Sequence, residues 1–396
     1  MMTDKTKKII KLGFVSGLSG VLERLANNQL KGLKLAVDEM NQRDGILGRQ
    51  IKIIVKDDKS DPRLTTKLYQ ESIYQDKVDF FVGQLSAGTQ LAANKETKKA
   101  KKILISLGNT NELTMARYFS PYTFHQAITL YMIAQSISKW TYQNLGRKWF
   151  IVAADYEWGW HIIEGYKAFA KRMNAKIVGI AKVPFPASKD DDYTKHFPEI
   201  LKKKPEVLIG GMNGSDQLKF IREVSKAGLK RKMSIMNSLS ELGIIEQLDP
   251  EDAVGMYWGA SFYWKLQDIL PIAKKFVSRY SEKFKEVPSA YSAYGYSGAM
   301  EALNVIDKVG KYPVDSNKVA QGLEGRIFAH YKHPEWWRPC DHQAFQDFYI
   351  LKLKGPEERK YKDDSSEIIG TASWDLDIER TCKNLGHARN MWGHFA

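Results

Sequence analysis

The sequence predicts an α/β protein of two Rossmann-like lobes, each built on a parallel central sheet. Three observations carry this reading. Short apolar runs rich in Val, Ile and Phe alternate with longer segments of helical periodicity. The alternation runs from residue 8 to 108 and then restarts at 147. At 396 residues the chain is also too long for one ordinary core.

Within the first run, "KIIKLGFVSGLSG" (8–20) reads as a strand ending in a Gly/Ser loop. "LKGLKLAVDEMNQRDG" (30–45) places Leu33, Ala36, Val37 and Met40 on one helical face and stops at a glycine. "RQIKIIVKDD" (49–58) is a second strand. Pro62 after Asp61 marks the start of a helix over 62–77. "VDFFVG" (78–83) and "KILISLG" (102–108) are strands three and four.

The second run repeats the order without repeating residues. Strands are predicted at 147–159, 175–185, 205–214 and 232–238, with helices at 160–174 and 216–230. The remainder is less regular. Helices over 271–285 and 289–310 and a strand over 345–355 supply too little for a third domain, so they are expected to return and complete the earlier ones.

Composition narrows the function class. Hydrophobic content of 43% beside 27% charged residues is that of a globular chain. The net charge of +14 is scattered in short runs (95–102, 202–204, 230–232), without zinc-ligand spacing or aromatic interleaving, which favours a solvated surface over nucleic-acid binding. No apolar run approaches the ~18 residues of a membrane span. The opening "MMTDKTKKII" lacks the apolar stretch of an export signal. Cys340 and Cys382 sit in polar surroundings outside any metal-binding pair, and a disulfide between them is expected in an oxidising compartment.

In open parallel sheets, ligands bind beyond the carboxyl ends of the strands. The loops at 16–20, 84–89, 106–111, 155–160, 211–215 and 237–241 hold hydroxyls, amides, glycines and aromatics, with few acid/base groups. That chemistry grips a small polar molecule. Ser86 in "GQLSAG" lacks the first glycine of a nucleophile elbow, and neither His125 nor His161 has an evident acid partner, so a serine hydrolase is disfavoured. Phosphate-loop and dinucleotide glycine patterns are missing. His330, His333 and His342 read as surface histidines, and 189–196 as a solvated acidic loop. No metal or cofactor is therefore expected.

Ser86 and Thr89 suit a helix start, where a hydroxyl satisfies orphan N–H groups. The same N–H groups attract an anion. Gly88 would allow close approach to the backbone. "SLGNTNEL" (106–113) repeats the arrangement on the adjacent strand exit. Two such loops could clamp one carboxylate.

"IKLGFVSGLSG", "GLKLAVDEMNQRDGILGRQIKIIVKDDKSDP", "DFFVGQLSAGTQLA" and "ILISLGNTNELT", in that order, resemble the substrate-binding proteins of ABC importers in the branched-chain amino-acid (Leu/Ile/Val) family. The similarity covers nearly the whole chain, and its most specific stretch has Asp44-Gly45 where the family usually has Gly-Gly. The resemblance implies the type I periplasmic-binding fold: two lobes joined by three hinge crossings, with a ligand in the cleft and lobe closure over it. The lobes would be 1–125 with 260–330, and 126–259 with 331–396. It further implies an extracytoplasmic receptor without catalysis, acting as a monomer, with a small carboxylate and an importer permease as partners.

By the same resemblance, Ser86 bonds the ligand carboxylate, flanked by Ala87 and Gly88, and Gly108, Asn109 and Thr110 complete the grip. Leu18 and Ser19 are first-loop contacts. Tyr156, Trp158, Met212, Asn213 and Ser238 belong to the second lobe's wall, and Phe262 is a further contact. Glu241 is the only acid in the loop from which the family holds a ligand ammonium, and it falls a residue or two late. The ligand is accordingly a branched-chain or aromatic amino acid, or an aromatic acid. An amide or urea sensor on the same fold is the alternative. Tyr156, Trp158, Trp160, Trp258, Phe262 and Tyr263 suit an apolar side group, or simply core packing.

Overall fold

The computed structural model describes residues 9–189, 191–372 and 378–389. The charged start (1–8) and His394 lie outside them. Along the chain the elements run β1 (Ile10–Ser16), α1 (Glu23–Asn41), β2 (Ile51–Asp57), α2 (Pro62–Tyr74), β3 (Phe80–Gly83), α3 (Ala87–Ala100), β4 (Leu104–Ser106) and β5 (Thr123–His125). Next come α4 (Leu130–Asn144), β6 (Lys148–Ala154), α5 (Glu157–Met173), β7 (Lys176–Val183), α6 (Asp191–Thr194), α7 (Phe197–Lys203), β8 (Val207–Gly211), α8 (Gly214–Lys226), β9 (Ser234–Asn237), α9 (Leu242–Ile245), α10 (Pro250–Ala253) and β10 (Tyr257–Ala260). The last third holds α11 (Pro271–Phe284), α12 (Ala290–Val309), α13 (Ser316–Leu323), β11 (Ile327–Phe328), β12 (Glu335–Trp337), β13 (Ala344–Phe345), β14 (Phe348–Leu353), β15 (Ser366–Ala372) and α14 (Ile378–Asn384).

Two compact units result. The first takes residues up to 128, 266–346 and the segment from 375; the second takes 129–265 and 347–374. In the first, β2-β1-β3-β4-β5 form an all-parallel sheet, so every strand carboxyl end lies along one edge. Its middle is dry: Phe14, Phe80, Phe81, Leu104 and Ile105 are fully buried. Central parallel strands are covered on both faces, which is why they read as unbroken apolar runs. Helix α12 lies against α1 so closely that a Cβ on Gly295 would stand 2.1 Å from the Gln29 carbonyl oxygen. The small residues in α12 are what permit that approach.

In the second unit, β7-β6-β8-β9-β10 are parallel, and β14 and β15 add on antiparallel. Trp149, Phe150, Ile151, Leu208 and Ile209 are fully buried there.

The tail departs from expectation. Residues 331–346 belong to the first unit rather than the second, as does the segment from 375. The reason is local. The His125 N–H donates to the His342 carbonyl at 2.9 Å, and the His342 ring stacks on Phe124 at 4.1 Å. Gln343 donates to the Ala127 carbonyl and Gln346 to that of Gln126. A disulfide joins Cys340 to Cys382, a residue of α14 rather than of a loop, and both are buried. Residues 378–389 thus belong with the first unit, which the expected lobe bounds leave out.

Candidate functional site

Strand β3 ends at Gly83, and α3 begins four residues later with Ser86 as its N-cap. The Ser86 backbone is extended, and its hydroxyl accepts from the Thr89 N–H at 3.4 Å and pairs with the Thr89 hydroxyl at 2.9 Å. Strand β4 pairs with β3 in register, Gly83 opposite Ser106. The loop 107–111 therefore leaves the sheet beside 84–86. Among the described residues, the peptide N–H groups of Ser86, Ala87, Gly88, Gly108, Asn109 and Thr110 find no acceptor. Buried or half-buried donors without partners are costly unless a ligand or water takes them. At the positive end of a 14-residue helix they favour an anion.

Three buried side chains hold these loops in place. Gln84 is fully buried with a φ of +77°, and its amide donates to the Val15 carbonyl at 2.8 Å and to Asp58 at 3.2 Å. It occupies the place where a nucleophile elbow would carry glycine. Gln29 donates to the carbonyls of both Gln84 and Leu107, at 3.2 Å each, clipping the two loops together. His125 sits at the end of β5. Its Nε2 donates to the Gly108 carbonyl at 2.6 Å, and its Nδ1 lies 2.6 Å from the Gln343 side-chain oxygen. Burial pushes the His125 pKa below its ordinary value, against the raising effect of those two hydrogen bonds.

Gly108 is required by the packing: a Cβ there would lie 2.0 Å from the Leu85 carbonyl oxygen. Gly88, expected to admit a ligand, is exposed, but a Cβ would stand 2.9 Å from Pro62 Cγ. Asn109 is half-buried, and its side chain is committed within the unit, donating to the Ile128 carbonyl at 2.6 Å and accepting from the Tyr291 hydroxyl at 2.7 Å. Thr110 is buried and donates its hydroxyl proton to the Glu112 carboxylate. Its oxygen in turn accepts from the Glu112 N–H at 3.4 Å.

In the first loop, Asp57 accepts from the Leu18 N–H at 2.9 Å and the Ser19 hydroxyl at 2.6 Å. Burial raises the Asp57 pKa, but the bonds from Ser19, Lys59 and Leu18 outweigh it and hold the carboxyl below its ordinary range. Asp57 uses these donors to shape the loop.

The second unit repeats the strand-exit plan. Tyr156 caps α5 with an extended backbone and stacks on Phe185 at 3.9 Å, while burial raises its phenol pKa. Trp158 is half-buried in the first turn of α5. Trp160 is exposed and donates to Asp155 at 2.7 Å. Asn213 caps α8, its side-chain oxygen accepting from Gly214 N–H at 2.7 Å. Glu241 caps α9 and is buried.

Other expected contacts are part of the packed interior. Met212 is fully buried, its sulfur lying over Gly210. Ser238 is fully buried and donates to the Gly210 carbonyl at 2.9 Å. Trp258 is buried with its indole N–H on Ser366, and Tyr263 with its hydroxyl on the Asp363 carbonyl. Phe262 is also buried.

The histidines of the 330–342 segment are not uniformly on the surface. His342 is buried, and His330 pairs with the buried Glu301 at 2.9 Å; His333 is exposed. Among the described residues no histidine nitrogen bonds the Ser86 hydroxyl. Sequence reasoning missed Glu112, Gln29 and the placement of His125. The motif "NTNEL" does offer an acid among hydroxyls, whereas nothing local announces that Gln29 would clip two loops.

Comparison with known proteins agrees with this architecture. A family model described as periplasmic binding protein matches residues 9–360. A Leu/Ile/Val-binding protein homolog 7 from Brucella abortus (strain 2308) is 24% identical over 333 residues, covering 79% of this chain and 80% of that protein. The structure of an amino acid ABC transporter substrate-binding protein from Pseudomonas fluorescens Pf-5 superposes with a TM-score of 0.87 at 22% identity, covering 96% of this chain and 99% of the other. A solute-binding protein of an ABC transporter from R. palustris, in complex with benzoate, gives 0.79 at 20% identity, covering 92% and 97%. These likenesses extend to the type I periplasmic-binding fold.

Proposed function

Because the chain belongs to the periplasmic binding protein family, we propose that it is the extracytoplasmic solute receptor of an ABC importer and binds a small carboxylate. The observation that carries this reading is the pair of adjacent strand exits whose peptide N–H groups, at 86–88 and 108–110, have no acceptor among the described residues. Such donors suit a carboxylate oxygen and supply no catalytic base. The reading includes no chemical step. Following the resemblance, closure of the two lobes on the ligand would present the surface that a permease recognises.

Within that class, a ligand with an α-amine is favoured over a simple acid. Thr110 gives its proton to Glu112, so its oxygen can only accept; the Glu112 N–H engages it at no better than 3.4 Å, and an ammonium would supply a stronger donor. Tyr156 and the half-buried Trp158 would meet a branched or aromatic side group. Glu241, at the mouth of α9, is the second acid in reach of the reading.

A thermal-shift screen tests it. Amino acids, benzoate-like acids, short-chain acids, amides and urea are each added at about 100 times a micromolar Kd, where binding adds about 2.7 kcal/mol to stability. A branched-chain or aromatic amino acid should raise Tm by several degrees, and its desamino counterpart less. Stabilisation by amides or urea alone would replace the proposal with an amide sensor.

A further inference from the structure

The amino ends of the second unit's parallel strands form a basic edge. In register, β6 begins at Lys148 opposite Lys176 of β7, and Val207 of β8 lies opposite Ser234 of β9. The backbone of Lys176 donates to the Arg147 carbonyl, and that of Ser234 to the Glu206 carbonyl. The segments entering these strands therefore stand side by side, spanning about 15 Å at the ordinary strand spacing. They bring Lys171 and Arg172 from the end of α5, Lys202, Lys203 and Lys204 from the end of α7, and Arg231 and Lys232 from the turn before β9. All seven are exposed.

Acids are few there. Glu206 spends its carboxylate on the peptide N–H groups of Arg147 and Lys148, and Glu223 pairs with Lys226. Asp249, Glu251 and Asp252 stand at one end of the strip, where Lys230 donates to the Glu251 and Asp252 carbonyls. Cations at helix C-termini answer the helix dipole. That accounts for one or two charges at α5 and α7, and not for Arg147, Lys176, Arg231 and Lys232.

Two of the chain's exposed large apolar residues stand in the same strip: Met173, 42% exposed, beside Arg172, and Leu201, 37% exposed, beside Lys202. Arg147 and Arg172 lie over the rings of Tyr142 and Phe169, at 4.6 and 5.5 Å, which keeps those rings from stacking on bases. Lysines outnumber arginines, and the surface is the edge of a sheet rather than a groove. Diffuse point charges with interspersed apolar side chains match a lipid headgroup layer better than a nucleic acid.

We propose that this basic edge docks the second unit on an anionic phospholipid bilayer. The strip is shorter than the Debye length of about 30 Å at 10 mM salt and longer than that of about 10 Å at 0.1 M, so its charges act together at low salt and are screened at high salt.

The test is co-sedimentation of the full chain with vesicles of phosphatidylglycerol and phosphatidylcholine, or of phosphatidylcholine alone. Binding is expected only to the former, and should weaken at least tenfold between about 50 and 500 mM salt. The triple variant Lys202→Glu, Lys203→Glu, Lys232→Glu should lose at least tenfold, with Tm unchanged. The control Lys95→Glu, Lys99→Glu, Lys101→Glu makes the same charge change on α3 and its C-cap in the first unit and should bind as the parent does. Met173→Ser with Leu201→Ser should reduce the binding that remains at high salt. No phosphatidylglycerol binding, or equal losses for both charge triples, overturns the proposal. So does binding to duplex DNA as strong as to vesicles and indifferent to Met173 and Leu201.

Discussion

The imidazole of His125 donates to the Gly108 carbonyl at 2.6 Å from the neighbouring strand end. It thereby fixes the carbonyl side of a peptide loop whose N–H groups at 108–110 find no acceptor among the described residues. His125→Ala should leave that buried carbonyl without a donor, costing about 1–3 kcal/mol of stability. The loop 108–110 should also lose definition, weakening ligand binding about tenfold by calorimetry. A lower Tm with unchanged Kd would confine His125 to a packing role.

Ser86 has two duties that substitution can separate. Its hydroxyl caps α3, and in the proposed function it faces a carboxylate. Ser86→Ala should lower stability by about 1 kcal/mol as a lost cap and weaken binding by ~1.5–3 kcal/mol. Ser86→Gly keeps most of the cap, so Tm should largely recover while affinity does not. Recovery of both would remove the hydroxyl from the site.

How far the sequence discloses this site follows from the kinds of interaction involved. Strands of buried Val, Ile and Phe announce themselves, as does the glycine at 108, which stands where two chain segments touch. The cap at Ser86 was legible because capping is a short-range relation between residues three apart. The fates of Met212 and Ser238 were not. Both sit at a strand exit that looks functional, and only the packing against Gly210 shows that they turn inward. The brief strands β5, β11, β12 and β13 are too short to carry a period, and they exist only through their pairing, β5 with β4 and β11, β12 and β13 with one another. The assignment of 331–346 to the first unit rests on His125, Gln126 and Ala127 meeting Gln343 and Gln346, a relation across more than two hundred positions.

Glu241 and Glu112 discriminate the ligand classes. For an amino-acid ligand, Glu241→Gln should weaken binding tenfold or more, since removing one partner of a desolvated charge pair is costly. For an acid without an amine it should do nothing. Glu112→Leu should reduce affinity for the amino acid only, because Thr110 would then lose the acceptor that orients its proton. Isothermal titration with an amino acid and its desamino analogue reads both.

The disulfide Cys340–Cys382 closes a 42-residue separation and ties α14 to the first unit. In the loop-entropy account a bridge of this span contributes about 3–4 kcal/mol, acting on the unfolded chain. Cys340→Ser with Cys382→Ser should lower Tm and the urea midpoint accordingly. Ligand affinity should change little, since neither cysteine touches the loops at 86–88 or 108–110.

The last prediction concerns acid. Asp364 is fully buried, with Oδ1 accepting from Lys265 Nζ at 2.6 Å and Lys354 Nζ at 2.8 Å, and Oδ2 from the Lys360 N–H at 3.1 Å. Burial alone would raise its pKa, but these partners outweigh it and lower the carboxyl from 3.8 to about 2. The unfolded chain therefore takes up a proton at a higher pH than the native one. Stability from this clamp is full above pH 3.8 and is lost as the pH falls towards about 2. A shift of that size corresponds to about 2 kcal/mol. Asp364→Asn should be less stable than the parent by at least about that amount at pH 7, because two lysines lose their counter-charge. The gap should narrow steadily once the parent's own carboxyl protonates. Urea unfolding of both proteins from pH 7 downwards measures this. A gap that stays constant through the acid range would mean that the lysine clamp does not hold the carboxylate charged in the native state.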